Sequence, residues 1–193
     1  MKHILFTFVF LAGTALSAAT IDFDAEAAAA GNQLTGVPWS PLTVGIATFT
    51  GGELVNSETG LLADTSGVYA SEGVFGTGET NPLMIQFAVP VNNFSIFVAN
   101  GDAAAMYTIT DNAGDSVVAS LPETGAGGSH TFSLPGSGIT SVEIMSGNAD
   151  GWNFAIDDVA FTATPEPGSA WICLTGLAIV GAGRFLLWKR RRA

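Results

Sequence analysis

The chain has 193 residues and a formal net charge of −11, and its charges are segregated along the sequence. All six lysines and arginines lie at position 2 or from position 184 onward, whereas all seventeen acidic residues lie between positions 22 and 166. Because nucleic acids and anionic lipids are bound through basic side chains, both are excluded as partners of the central part of the chain.

The first 19 residues are typical of a secretory signal peptide. Residues 1–3 are a short basic segment, residues 4–16 are apolar, and residues 17–19 are the small residues of a cleavage site. We therefore expect Sec export and cleavage by signal peptidase after Ala19, with cleavage after either of the two preceding residues as the alternatives.

Residues 20–164 have the size of a single domain with a sizeable core. The only cysteine, Cys173, lies outside this segment, which excludes a disulfide or a thiolate metal site within it. Short runs in which apolar and polar residues alternate, separated by Gly-rich turns, predict an all-β fold, an antiparallel β-sandwich of the jelly-roll type. The inward positions predicted by this alternation are Ile21, Phe23, Val44, Ile46, Thr48, Leu83, Ile85, Phe87, Val89, Phe94, Ile96, Val98, Tyr107, Ile109, Val117, Ala119, Phe132, Leu134, Val142, Ile144, Phe154, Ile156, Val159 and Phe161.

Three local signals refine this pattern. Residues 25–30 could hold one helical turn, and residues 90–93, with a proline and two asparagines, predict a turn between two separate strands. Residues 111–115, Asp-Asn-Ala-Gly-Asp, predict a hairpin turn because Asn and Gly accept the positive φ that tight turns require.

The last predicted strand contains a slip. Its alternation shifts by one residue at Asp157 and Asp158, which predicts a β-bulge. If the first and last strands pair, the bulge lies near Asp22 and Asp24. Four converging carboxylates repel one another unless a cation is bound, and Ca²⁺ prefers oxygen ligands, so these four residues are a candidate calcium site. The alternative is that they face solvent on edge strands, where charge opposes aggregation.

A tryptophan in a turn-rich segment suggests carbohydrate binding. Trp152 is flanked by Asn148, Asp150 and Asn153. Sugar rings stack on aromatic side chains while their hydroxyls bond to Asp and Asn, and such sites lie in loops. Trp39 is a second candidate platform. The alternative for both tryptophans is that they cap the hydrophobic core.

Catalytic signals are weak. His130 is the only histidine of the domain, and no Gly-x-Ser-x-Gly motif accompanies it. One histidine among scattered acids has no zinc-ligand spacing. We therefore predict that the protein is not an enzyme. A small secreted carbohydrate-active enzyme stays open as the alternative, because a glycosidase needs only two carboxylates at a fixed separation.

The C-terminal residues divide into three parts. The prolines of residues 165–169 favour an extended chain. Residues 170–188 are apolar except for Arg184, and as a helix they would cover roughly 28 Å, close to the thickness of a bilayer's hydrocarbon core. Residues 189–193 are basic and predict a cytoplasmic C-terminus in the inner membrane. The residues expected to fix this end of the span are Arg184, Lys189, Arg190, Arg191 and Arg192.

This arrangement resembles the PEP-CTERM sorting signal of Gram-negative bacteria. The resemblance implies that Pro165, Glu166 and Pro167 are recognised by an exosortase, a membrane cysteine transpeptidase, which removes the tail and passes the protein to the cell surface or an exopolysaccharide matrix. Arg184 departs from the family pattern, which usually keeps its basic residues after the span. Residues 154–159 are also similar to PEP-CTERM cargo domains and galactose-binding-like sandwiches, which implies a structural or ligand-binding module.

Overall fold

The structure is a computed structural model, and it describes residues 17–30, 41–56, 66–71, 82–101, 103–123, 128–147 and 154–164. These residues belong to one compact unit between Ser17 and Thr164. The described residues form one short helix and one sheet of ten strands, all of whose pairings are antiparallel. The elements are β1 (Ser17–Ile21), α1 (Asp24–Ala30), β2 (Leu42–Val44), β3 (Ala47–Thr50), β4 (Gly52–Asn56), β5 (Gly67–Ser71), β6 (Leu83–Asn100), β7 (Ala105–Asp111), β8 (Ser116–Leu121), β9 (Ser129–Ser146) and β10 (Phe154–Ala163).

Two long strands carry the sheet from one layer to the other. The strand order is β4-β5-β10-β6-β9-β7-β8, with β1 on β10, β3 on β6 and β2 on β3. Strands β6 and β9 have 18 residues each, and their mutual register shifts three times between Gln86 and Phe94. Positive φ values at Asn93 (53°) and Gly138 (71°) mark the same bend. The sheet therefore curls over a main core, and the predicted antiparallel β-sandwich is supported. A smaller buried cluster lies apart from that core and is formed by Val55, Val68, Ala70, Ala99 and Ala155.

Two details of the predicted strands were wrong. The expected turn at residues 90–93 is a bend within β6, because Val91 and Asn92 keep partners on β9 and the ladder continues through them. In the segment around residue 45, Gly45 has a φ of 58° and closes a hairpin between β2 and β3. As a result Ala47 and Phe49 are buried, not the predicted Ile46 and Thr48.

The core itself follows the predicted period of two in β6, β7, β9 and β10. Aromatic rings meet within it: the Phe87 and Phe161 centroids lie 5.1 Å apart, and those of Phe23 and Phe49 lie 5.0 Å apart. Burying each such ring stabilises the fold by roughly 1.5–3 kcal/mol. The predicted slip in the last strand is confirmed, since the register shifts between Asp157 and Ala160, and Asp158 has a φ of 46°.

The first and last strands pair, which is the condition on which the calcium hypothesis depended. Ser17 lies opposite Ala163, and Ile21 lies opposite Val159. The predicted domain start at residue 20 therefore falls inside β1. After β1 the chain turns at Phe23, whose φ is 55°, and enters α1, whose residue Ala27 is buried.

The structure does not describe the predicted segments that flank the domain. Residues 1–16, the sorting motif at 165–169, the span at 170–188 and the basic tail at 189–193 all lie outside the described residues. Among the residues that are described, no helix is long and apolar enough to cross a membrane.

Candidate functional site

One buried amide organises an end of the sandwich where several loops begin. Asn100, the last residue of β6, is 2% exposed. Its Nδ2 donates hydrogen bonds to the carbonyl oxygens of Ala103 (2.8 Å) and Pro122 (2.6 Å), and its Oδ1 accepts one from the Gly101 backbone N–H (2.9 Å). Because buried polar groups are costly when unsatisfied, this side chain fixes the β6–β7 and β8–β9 connections relative to each other.

Tyr107 completes this arrangement from β7. Its hydroxyl donates to Asn100 Oδ1 at 2.6 Å, and its ring meets that of Phe154 edge to face, with 5.2 Å between centroids. Burial raises the pKa of Tyr107 well above its ordinary value, and a hydrogen bond with Ser146 lowers it by a smaller amount. The phenol therefore stays neutral over the physiological pH range.

The predicted tryptophan loop begins and ends at this same end of the sheet. On one side, Ser146 pairs with Tyr107. On the other, the Phe154 backbone N–H donates to Ser71 Oγ at 3.2 Å, which ties the start of β10 to the end of β5. The proposed sugar-binding residues Asn148, Asp150, Trp152 and Asn153 lie outside the described residues, as does Trp39, so their role stays a prediction.

An exposed apolar patch lies beside the start of that loop. Met106, Val118 and Met145 are 54%, 55% and 49% exposed, and we call these three residues the β7–β9 patch. The register places Met145 and Val118 on either side of Thr108 in one row across the sheet. The Gly147 backbone N–H donates to the Met106 carbonyl oxygen at 2.6 Å, so the loop leaves the sheet directly from the patch. Sequence reasoning missed this patch, because the alternation of β7 to β9 indicates only which side chains face outward.

Two of the four proposed calcium ligands meet at the start of β5. The Gly67 backbone N–H donates to Asp24 Oδ1 at 2.7 Å, and the neighbouring Ser66 hydroxyl donates to Asp157 Oδ2 at 3.1 Å. Asp157 is buried, whereas Asp158 at the bulge is exposed. Asp22 Oδ1 accepts a long hydrogen bond, 3.4 Å, from the Asp24 backbone N–H.

These contacts leave the calcium assignment open. Across the described part of the chain, no group of three or more His, Cys, Asp or Glu side chains has an arrangement that could hold a metal ion. A calcium site at Asp22, Asp24, Asp157 and Asp158 stays a prediction. His130 is exposed on β9, where its ring packs against Phe132 with 4.9 Å between centroids.

No protein-family model and no curated protein matches the chain. Among solved structures, the CBM22-1 and GH10 modules of endo-1,4-β-D-xylanase 10B from Clostridium thermocellum, in complex with xylohexaose, align at 12% identity and a TM-score of 0.42. That alignment covers 75% of this chain but only 28% of the xylanase chain. The xylan-binding domain of family CBM22 aligns at 14% identity over 68% of this chain and 92% of its own, with a TM-score of 0.35.

A third solved structure has the same kind of likeness. The family 11 carbohydrate-binding module of the cellulosomal cellulase Lic26A-Cel5E from Clostridium thermocellum aligns at 14% identity and a TM-score of 0.35. The alignment covers 79% of this chain and 98% of that module. The chain is thus similar in outline to carbohydrate-binding modules, at TM-scores that assign it to none of their families.

Proposed function

We propose that the protein is an exported cargo protein of the PEP-CTERM type. Residues 1–19 direct export, residues 170–188 halt the chain in the inner membrane with residues 189–193 in the cytoplasm, and an exosortase-type transpeptidase reads Pro165-Glu166-Pro167. The domain is then delivered to the cell surface or exopolysaccharide matrix, where its role is structural. The resemblance of residues 165–193 to that sorting signal is the main ground for the proposal.

The pairing of β1 with β10 is the structural observation that supports it. Thr20 lies opposite Ala160 and Ile21 lies opposite Val159, so the start of the domain that remains after cleavage lies beside its last strand. Thr164 is still held by the sheet, because its backbone N–H donates to the Pro90 carbonyl oxygen at 2.9 Å and its hydroxyl accepts from Asn92 Nδ2 at 3.3 Å. The tripeptide begins at the next residue, so cutting there removes no contact described within the domain.

Contact with polysaccharide is the finer part of the proposal. The β7–β9 patch offers apolar side chains against which the C–H faces of sugars pack, and the adjoining loop carries Trp152 with Asn and Asp neighbours. With no lysine or arginine between residues 3 and 183, the domain has no permanently cationic side chain for an acidic glycan. The ligand class that fits is therefore a neutral polysaccharide.

The sorting step is tested in the organism of origin by replacing Pro165, Glu166 and Pro167 with alanine. We expect the variant to stay in the inner-membrane fraction at the mass of the chain with its tail, while the wild type is recovered outside without it. A matched replacement of Gly168 and Ser169 by alanine is expected to be processed normally. If the triple variant reached the wild-type destination at the wild-type mass, exosortase sorting would be excluded.

A further inference from the structure

A buried carboxylate lies at the opposite end of β7 from Asn100. Asp111 is 6% exposed. Its Oδ1 accepts hydrogen bonds from the backbone N–H groups of Ala113 (2.8 Å) and Asp115 (3.0 Å), which close the β7–β8 turn. Its Oδ2 is equally buried but receives no hydrogen bond from the residues that the structure describes. A buried anionic oxygen without a hydrogen-bond donor destabilises the folded state, and a bound cation would relieve this destabilisation.

A second carboxylate lies close to this oxygen. A Cβ atom on Gly136 of β9 would lie 2.6 Å from Asp111 Oδ2 and 3.5 Å from Asp115 Oδ2. A side chain at residue 136 would therefore press against Asp111 Oδ2, although the φ of this residue does not itself require glycine. The fold thus brings Asp111 and Asp115 together beside Gly136, next to the bend of β9.

The positive partner has to come from solution. The sequence has no lysine or arginine between positions 3 and 183, and the domain's single histidine lies on the other half of β9, paired with Val98. Two carboxylate oxygens are a hard donor set, which favours Ca²⁺ over the softer transition metals. We propose that Asp111 and Asp115 bind a calcium ion beside Gly136.

This calcium site is separate from the four acids at positions 22, 24, 157 and 158. The described residues give it no third acidic, histidine or cysteine ligand, so water and backbone carbonyl oxygens complete the coordination. Few charged ligands imply weak binding, and the dissociation constant is expected in the range of extracellular modules, about 10⁻⁴–10⁻³ M. The ion would join the β7–β8 turn to the bend of β9, next to the contact in which Asn112 Oδ1 accepts from the Thr140 backbone N–H at 2.7 Å.

The test is a calcium titration of the full-length protein in detergent micelles, followed by thermal unfolding in CaCl₂, MgCl₂ or EDTA. Because a ligand that binds only the folded state stabilises it, saturating Ca²⁺ should raise the unfolding midpoint by several degrees. Asp111→Asn keeps the Oδ1 acceptor of the turn but removes the negative charge, and Gly136→Ala places a methyl carbon against Asp111 Oδ2 and so displaces that carboxylate. Each substitution should weaken calcium binding about tenfold or more. Glu123→Gln removes an exposed charge elsewhere and should leave binding unchanged.

The outcomes separate clearly. Loss of the calcium response in Asp111→Asn and Gly136→Ala, with the response kept in Glu123→Gln, supports the site. If Asp111→Asn does not fold, Asp115→Asn replaces it, since Asp115 is exposed. An absent calcium response in the wild type overturns the proposal, as does a response that survives in the Asp111 or Asp115 variant and in Gly136→Ala. A response abolished only by Asp24→Asn also overturns it, because the ion then binds at the N-terminal acids. None of these results depends on how the protein is sorted.

Discussion

The hydroxyl of Tyr107 donates a hydrogen bond of 2.6 Å to Oδ1 of Asn100, and both side chains are buried. The two residues come from different layers of the sandwich, since Tyr107 pairs with the C-terminal part of β9 and Asn100 pairs with the start of β10. The bond therefore links the layers at the end where the tryptophan loop begins.

Removing this hydroxyl should destabilise the domain without disturbing its packing. Tyr107→Phe keeps the ring contact with Phe154 and leaves Asn100 Oδ1 with the Gly101 N–H. We expect Tyr107→Phe to lower the free energy of unfolding by about 1 kcal/mol. Asn100→Ala should lower it by about 2–3 kcal/mol, because several buried carbonyl groups then lose their hydrogen-bond donor. Urea denaturation measures both, with the exposed Ser120→Ala as control. Equal stability of Asn100→Ala and wild type would contradict the role assigned to Asn100.

The buried phenol also predicts a loss of stability at alkaline pH. Burial raises the pKa of Tyr107 in the folded state, so the folded protein holds this proton more tightly than the unfolded chain does. The stabilisation is fully present below the unfolded pKa, about 10, and is lost as pH rises through the folded pKa. We expect the stability of Tyr107→Phe to fall less steeply above pH 10 than that of the wild type, as measured by urea midpoints at a series of pH values. Parallel pH profiles would refute this.

The pairing of β1 has a consequence for the mature N-terminus. Cleavage after Ala19 would remove Ser17, Ala18 and Ala19, which pair with Ala163, Thr162 and Phe161. A chain beginning at Thr20 should therefore be less stable than one beginning at Ser17, by about 1–3 kcal/mol for the lost ladder hydrogen bonds. Urea unfolding of the two chains measures the difference, and mass spectrometry of the exported protein shows which start is used. Identical urea midpoints would show that these residues do not stabilise the domain.

Trp152 gives a test of polysaccharide binding at the loop. If its ring stacks on a sugar, Trp152→Ala should weaken binding to exopolysaccharide purified from the same bacterium about tenfold or more. The melting temperature should change little. Trp152→Phe, which keeps an aromatic ring, is the control, and Trp39→Ala tests the second candidate platform. Unchanged binding of Trp152→Ala in affinity electrophoresis would remove this site, and a large fall in melting temperature would show instead that the ring caps the core.

The β7–β9 patch gives an independent test of the same function. Met145→Glu and Val118→Glu place charges on exposed positions, so the free energy of unfolding should change by no more than about 0.5 kcal/mol each. Binding to a neutral polysaccharide should fall because the apolar surface is lost. Ser133→Glu, exposed on the half of β9 that pairs with the C-terminal part of β6, is the matched control. Equal losses in all three variants would point to a general charge effect.

The sequence predicted those parts of the fold in which one face of a strand is buried. The alternation at Leu83, Ile85 and Phe87, like that at Tyr107 and Ile109, follows directly from burial on one side. Strands β4 and β5 were missed because residues 67–71 are buried on both faces, which leaves no alternation to read. The continuity of β6 was missed as well, since an asparagine with positive φ normally indicates a turn.

The candidate sites were harder to predict for a related reason. Asn100 stabilises the loops through hydrogen bonds to the carbonyl groups of residues 103 and 122. The sequence around Asn100 contains no pattern that predicts these partners. The spacing of Asp111 and Asp115 did predict a hairpin turn correctly. Their approach to Gly136 depends on the bend of β9, which only the folded chain reveals.

The position of β10 decides when the domain can be completed. This strand is the last to be synthesised, yet it lies inside the sheet between β5 and β6 and also carries β1. Its partners come from far earlier in the chain, and contacts of such high sequence separation form slowly. If the chain is exported as proposed, N-terminus first, the sheet cannot close until residue 163 has emerged. The chain would then stay incompletely folded, as passage through a translocation channel requires, until only the segment from Thr164 onward has still to follow.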